Sequence, residues 1–215
     1  MMRFFKIGLL SISALMLIGA GFAAAKYHSR VKLKGALCDN VPCIHLHMRK
    51  LAIESVIAQR GKTPSYLAIG DSITEAADLP EICGRRPINA GIGGATAATF
   101  KTEAARLAEM ANPDFIVLAL GTNDAFTGQF DGFRERYTAL VSSLGRWRII
   151  VVPVPPSPKI PDVERFNREI ALAAKESAAT LNHVETIDGV HLAASGYVSW
   201  KQSIIDASQT AVCNP

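Results

Sequence analysis

Phe115-Ile116-Val117-Leu118-Ala119-Leu120-Gly121-Thr122-Asn123-Asp124 is the stretch on which the fold turns. Six apolar residues in a row, with no polar alternate, mark a strand buried on both faces, as in a parallel sheet covered by helices on either side. The polar tetrad that follows means that the chain leaves this strand where chemistry can be done. Outward from it the same rhythm recurs. Residues 66–69 form a short buried strand ended by Gly70, residues 88–89 a shorter one behind Pro87, residues 148–152 another, and residues 183–187 a last. Helical periodicity fills the intervals at 96–110, 130–144, 162–177 and 193–208, with one earlier helix at 47–60 before Gly61. Strands alternating with helices imply βαβ units and a parallel sheet. Five strands predict an α/β three-layer sandwich, flavodoxin-like, in which ligands bind outside the carboxyl ends of the strands.

At 215 residues and 23.1 kDa the chain is long enough for one domain with a sizeable core. With 49% apolar residues and 20% charged, it fits neither disorder, collagen nor coiled coil. Its formal charge of +4 is partly local. Removing Arg3 and Lys6 from the 23 basic residues leaves 21 against 19 acidic ones, a balance that calls for no nucleic acid. Residues 7–25 are uncharged and largely apolar behind a basic start, and Ala23-Ala24-Ala25 offers a small-x-small cleavage site. Residues 1–25 therefore read as a signal peptide or, if retained, an N-terminal membrane anchor, and the rest as exported, periplasmic or secreted. Residues 26–60 form a lead-in with one helix, and 61–215 the main domain. The four cysteines agree with export, and the pairing favoured is Cys38–Cys43 with Cys83–Cys213. His45 and His47 near Cys43 do not make a metal site, and no cofactor is expected.

The segments leaving the strands carry what acyl transfer needs: a hydroxyl nucleophile, oxyanion donors, and a base with an orienting carboxylate. Ser72 follows a buried strand and a Gly-Asp pair, so it either presents its hydroxyl at a strand-to-helix turn or caps the helix. Asp188 and His191 are three apart at the mouth of the last strand, a spacing at which the carboxylate reaches the imidazole and stabilises the imidazolium formed on accepting a proton. His183 is the rival base, with no acid just before it. Gly91-Ile92-Gly93-Gly94-Ala95-Thr96 lacks the third glycine of a dinucleotide loop, but its backbone N–H groups can face an oxyanion. Asn123 adds a side-chain donor or is simply a turn residue. Arg85, Arg86 and the proline loop 153–158 border this rim or serve as solvated charges and a stiff connection.

Taken in order, Gly70-Asp71-Ser72, Asn89-Ala90-Gly91-Ile92-Gly93-Gly94-Ala95-Thr96, Gly121-Thr122-Asn123-Asp124 and Asp188-Gly189-Val190-His191-Leu192 resemble the four blocks of the SGNH, or GDSL-type, hydrolase superfamily. The resemblance spans roughly 65–208, with Ile73 where the family name has Leu. It implies the SGNH hydrolase fold, Ser72 as nucleophile and Asp188 and His191 as its triad partners. The Ser72 and Gly94 amides and the Asn123 side chain would form the oxyanion hole. Residues 26–60 and the cysteine pattern lie outside it.

The expected function is that of a serine esterase acting on short acyl esters, with O-acetyl groups on a carbohydrate favoured because the short loops leave no room for a lid. An arylesterase or lysophospholipase, an acyltransferase and a non-catalytic envelope carbohydrate-binding protein are the alternatives. The partner implied is a small ester or acylated carbohydrate, with a membrane involved only if residues 7–25 are retained.

Overall fold

The computed structural model describes residues 41–160, 162–174, 179–181 and 184–213. The proposed leader and Cys38 lie outside them, and so does His183. Helix α1 spans Val41–Arg60, and the compact unit begins at His45 within it. The helix starts six residues earlier than its hydrophobic periodicity predicts. Pro42 does not prevent this, because a first-turn residue has no intrahelical acceptor to lose.

Strands β1 (Ser65–Gly70), β2 (Arg86–Gly91), β3 (Phe115–Ala119) and β4 (Arg148–Val151) form a parallel sheet in the order β2-β1-β3-β4. Every residue of β1 is buried, as its unbroken apolar run requires. Side chains alternate between two cores. Leu67, Ile69, Ile116, Leu118 and Val151 join Ile53, Ile57, Phe133, Phe166 and Ile170 on one face, while Tyr66, Ala68, Phe115, Val117 and Ile150 meet Trp200 and Ile204 on the other. Burying one such Ile or Leu contributes about 1.5–3 kcal/mol, so both helical layers are held by the sheet they cover. The layers are α1, α3 (Glu103–Ala111), α5 (Phe133–Ser143) and α6 (Val163–Ala174) on the first face, and α7 (Ala194–Ser208) on the second. Cys83 is bonded to Cys213, 5.8 Å apart at Cα, as expected from the pairing favoured above.

Two expectations need correction. Among the described residues the sheet has four strands rather than five. Only Val184 of residues 184–187 is buried, and instead of extending a ladder the chain doubles back, so that Thr186 pairs antiparallel with Leu192. The helix expected at 96–110 begins only at Glu103. The Thr96 N–H donates to Thr99 Oγ1 at 3.0 Å, a side-chain acceptor that competes with helix propagation.

The strand order reverses direction beside β1: β2 lies on one side and β3 on the other. A crevice opens at the carboxyl ends of β1 and β3, where doubly wound sheets hold their ligands.

Candidate active site

The residues following β1 enter that crevice. Asp71 has extended backbone angles, and its Oδ1 accepts the Ile73 N–H at 3.0 Å, so Asp71 is the N-cap of helix α2 (Ser72–Ala76). Ser72 is thereby the first helical residue. Its hydroxyl has no capping duty, and its N–H lies outside the helix's own ladder. Asp71 is 1% exposed, and its pKa is pushed up to about 6, chiefly by burial, with the Thr122 side chain, the Ile73 N–H and His191 pulling the other way.

Ser72 Oγ lies 3.1 Å from His191 Nε2, and His191 Nδ1 lies 2.7 Å from Asp188 Oδ2. A carboxylate only accepts, so the proton between them sits on Nδ1, and Nε2 is left as acceptor for the Ser72 hydroxyl. Asp188 is 49% exposed on its side chain and is held by hydrogen bonds rather than by burial. Its Oδ1 accepts the Val190 and His191 N–H groups at 2.9 and 2.8 Å. The His191 hydrogen bond, seconded by these N–H groups, holds the carboxyl well below the usual carboxylate range. The Ile187 N–H closes the turn on the His191 carbonyl at 2.9 Å, and the Ser157 hydroxyl buttresses it by donating to the Gly189 carbonyl.

The glycine loop crosses in front of this relay. The Ile92 N–H donates to the Gly70 carbonyl, and the Ala95 N–H to the Ile92 carbonyl, both at 3.0 Å, which closes a four-residue turn. Gly94 takes φ +76° at its third position, where an added Cβ would meet nothing within 4 Å, so backbone conformation and not space demands glycine. At Gly91 the reason is space, since a Cβ would lie 2.2 Å from the Glu75 nitrogen.

Helix α4 (Thr122–Phe126) follows β3 and grips the same loop. Asn123 Nδ2 donates to the Ala95 carbonyl at 2.9 Å, and the buried Asp124 accepts the Ala97 N–H through Oδ2 at 3.0 Å. Asn89 fastens the loop from below: its Nδ2 donates to the Thr74 carbonyl at 2.7 Å, and its Oδ1 accepts the Gly91 N–H at 2.9 Å. The structure thus brings Ser72, Gly94, Asn123, Asp188 and His191, the five residues singled out from the sequence, to one rim. A hydroxyl hydrogen-bonded to an oriented imidazole, flanked by backbone and amide donors, is equipped for acyl transfer.

Arg85 and Arg86 do not reach this rim. Arg86 opens β2 at the opposite end of the sheet and lies 3.8 Å from Glu81, while Arg85 lies 3.6 Å from Asp114. The contacts of Asp124, Ser157 and Glu75 have no signal in the sequence, because each residue acts through a partner distant along the chain.

Comparison with known proteins decides the family. A family model described as GDSL-like lipase/acylhydrolase matches residues 68–207, the span that holds all four blocks. The chain belongs to that family. Its fold is shared with a GDSL-like lipase from Bacteroides thetaiotaomicron, at TM-score 0.59 and 20% identity over 77% of this chain and 98% of that one. An acetylxylan esterase from Geobacillus stearothermophilus matches at TM-score 0.55 and 18% identity, covering 68% and 95% of the two chains. A lipase/acylhydrolase from Enterococcus faecalis matches at TM-score 0.55 and 19% identity, covering 68% and 96%. No curated protein matches this GDSL-like chain significantly in sequence. Helix α1 lies outside the family match.

Proposed function

We propose that this GDSL-like hydrolase is a serine esterase that removes short acyl groups, with O-acetyl esters of a carbohydrate as its substrate class. The carrying observation is the relay Ser72 Oγ–His191 Nε2–Nδ1–Asp188 Oδ2, with separations of 3.1 and 2.7 Å. Ser72 Oγ attacks the ester carbonyl carbon while its proton passes to His191 Nε2. Negative charge gathers on the carbonyl oxygen, where the N–H groups of Ser72 and Gly94 and the Asn123 amide receive it. When the tetrahedral adduct collapses, the C–O bond to the alcohol breaks, and His191 returns its proton to the departing oxygen. Water then repeats the sequence on the acyl-serine and releases the acid and a free Ser72. Asp188 keeps the imidazole oriented and balances the imidazolium in both halves.

Openness supports the small acyl group on a bulky carrier. His191 and Asp188 keep 45% and 49% of their side chains exposed, and Gly94 is exposed. The acetylxylan esterase of the same fold is known with its catalytic Ser or Asp replaced by Ala. The disulfide and the apolar residues 7–25 support action outside the cytoplasm. Phe126, 51% exposed one turn beyond Asn123, favours the second reading, an arylesterase or lipid-directed acylhydrolase. A series of p-nitrophenyl esters from acetate to palmitate, with release of acetate from acetylated xylan, tests the choice. The carbohydrate reading expects kcat/KM to be highest at acetate and acetate to be released from the polymer. A maximum at octanoate or longer, with no acetate released, would overturn it.

A further inference from the structure

Gly93 and Gly94 have no side chains with which to anchor themselves, yet an oxyanion donor works only if it is fixed before the charge arrives. Their anchor comes from elsewhere. Glu75, on the last turn of α2, accepts the Gly93 N–H through Oε2, so that its carboxylate immobilises the peptide immediately before the Gly94 N–H. The same carboxylate is held by α1. His45 Nε2 lies 3.1 Å from Glu75 Oε2, and Arg49 Nε lies 3.4 Å from Oε1. Arg49 also donates directly to the loop, through Nε to the Gly91 carbonyl at 2.9 Å and through Nη2 to the Asn89 carbonyl at 3.3 Å. Glu75 and Arg49 are partly shielded, with about a quarter of each side chain exposed, which strengthens their charge-assisted bonds relative to fully solvated ones, whereas His45 is exposed.

We propose that Glu75 is a positioning residue for the oxyanion hole, and that α1, through Arg49 and His45, is the brace that sets it. The proposal rests on the esterase reading above. It assigns a role in catalysis to a helix outside the span matched by the family model. An oxyanion hole tolerates little displacement of its donors. Misplacing a preorganised group by about 1 Å costs on the order of 10²-fold in rate, and two adjacent glycines have backbone freedom enough to drift that far. Substrate affinity in the ground state is little affected, since the oxyanion forms only later.

The test uses the full chain with p-nitrophenyl acetate and a fluorophosphonate probe. Glu75→Ala is expected to lower kcat about 10- to 100-fold with KM within about threefold, and to slow phosphonylation by a similar factor. Glu75→Gln keeps a carbonyl acceptor for the Gly93 N–H and should recover most of that loss. Arg49→Met should lower kcat about 3- to 10-fold, and the double variant should fall by less than the product of the two single losses, because Arg49 acts partly through Glu75 and partly through its own bonds to the Gly91 and Asn89 carbonyls. Arg49→Met carries the test by itself if Glu75→Ala does not fold. A wild type that labels normally beside Glu75→Ala or Arg49→Met variants of unchanged kcat overturns the positioning role alone. So does a Glu75→Gln as impaired as Glu75→Ala, with melting temperature falling in step. A wild type that neither labels nor hydrolyses overturns the esterase reading and, with it, this proposal.

Discussion

Replacing Asn123 by Ala separates the contact that the structure shows from the oxyanion role that the proposed mechanism assigns to the same side chain. One N–H of its amide donates to the Ala95 carbonyl at 2.9 Å, tying α4 to the glycine loop. The other remains for the oxyanion. The first job contributes to stability about as much as one hydrogen bond does, roughly 1 kcal/mol. For a domain of this length that corresponds to a fall in melting temperature of about 2–4 °C. Since folded domains are stable by about 5–15 kcal/mol, such a loss leaves the protein essentially all folded at 25 °C. The second job appears only in the transition state, and removing one oxyanion donor costs about 10²–10³ in turnover, or roughly 2.7–4 kcal/mol of barrier. The variant should therefore show kcat and kcat/KM falling together by two to three orders of magnitude, with KM nearly unchanged, in a stable protein. Steady-state hydrolysis of p-nitrophenyl acetate beside a circular-dichroism melt measures both. A kcat within threefold of wild type, with the melt lowered as expected, would mean that Asn123 only ties the loops together.

Three further outcomes follow from the geometry. Asp188→Asn disturbs the tautomer that the 2.7 Å hydrogen bond imposes, and turnover should fall by about 10²–10⁴ while the turn persists; stopped-flow acylation rates check this. Asp71 is driven to about pH 6 by burial, so the folded state holds a proton that the unfolded chain releases near pH 4. Its contribution to stability, up to about 3 kcal/mol, is present below pH 4 and lost as pH rises towards 6, and Asp71→Asn, which keeps a cap oxygen for Ile73, should flatten denaturant-melt stability across that window. Reducing Cys83–Cys213 opens a loop of 130 residues in separation, and the chain-entropy model puts the loss at about 5 kcal/mol, readable as a lower urea midpoint.

The parts of the fold legible in the sequence were those whose signal is local. The apolar runs of β1 and β3 announce burial on both faces, and the polar residues directly after them announce the rim. Residues 184–187 contain three β-branched residues, Val184, Thr186 and Ile187, which suit a strand, while the observed path is dictated by the Asp188 turn, whose hydrogen bonds fold Leu192 back on Thr186. Residues 96–102 misled because alanine propensity was outweighed by threonine hydroxyls able to bond locally. At the site, Ser72, Asn123, Asp188 and His191 were visible as chemistry-bearing types at strand ends. The division of labour between Asp71 and Ser72 was not, since either can cap a helix and only the Ile73 contact decides. Glu75 and Arg49 belong to no motif in the sequence; the role proposed for them arises from the Gly91–Gly93 backbone lying beside them in space.

Hydrolysis by the proposed route depends most directly on the nucleophilicity of Ser72. Treating the full-length protein with a fluorophosphonate, then measuring the intact mass and mapping the modified peptide, tests it in one step. One equivalent of label on Ser72, absent from Ser72→Ala and slowed in Asp188→Asn, is the expected result. Label on another residue, or undiminished labelling of Ser72→Ala, would contradict the mechanism.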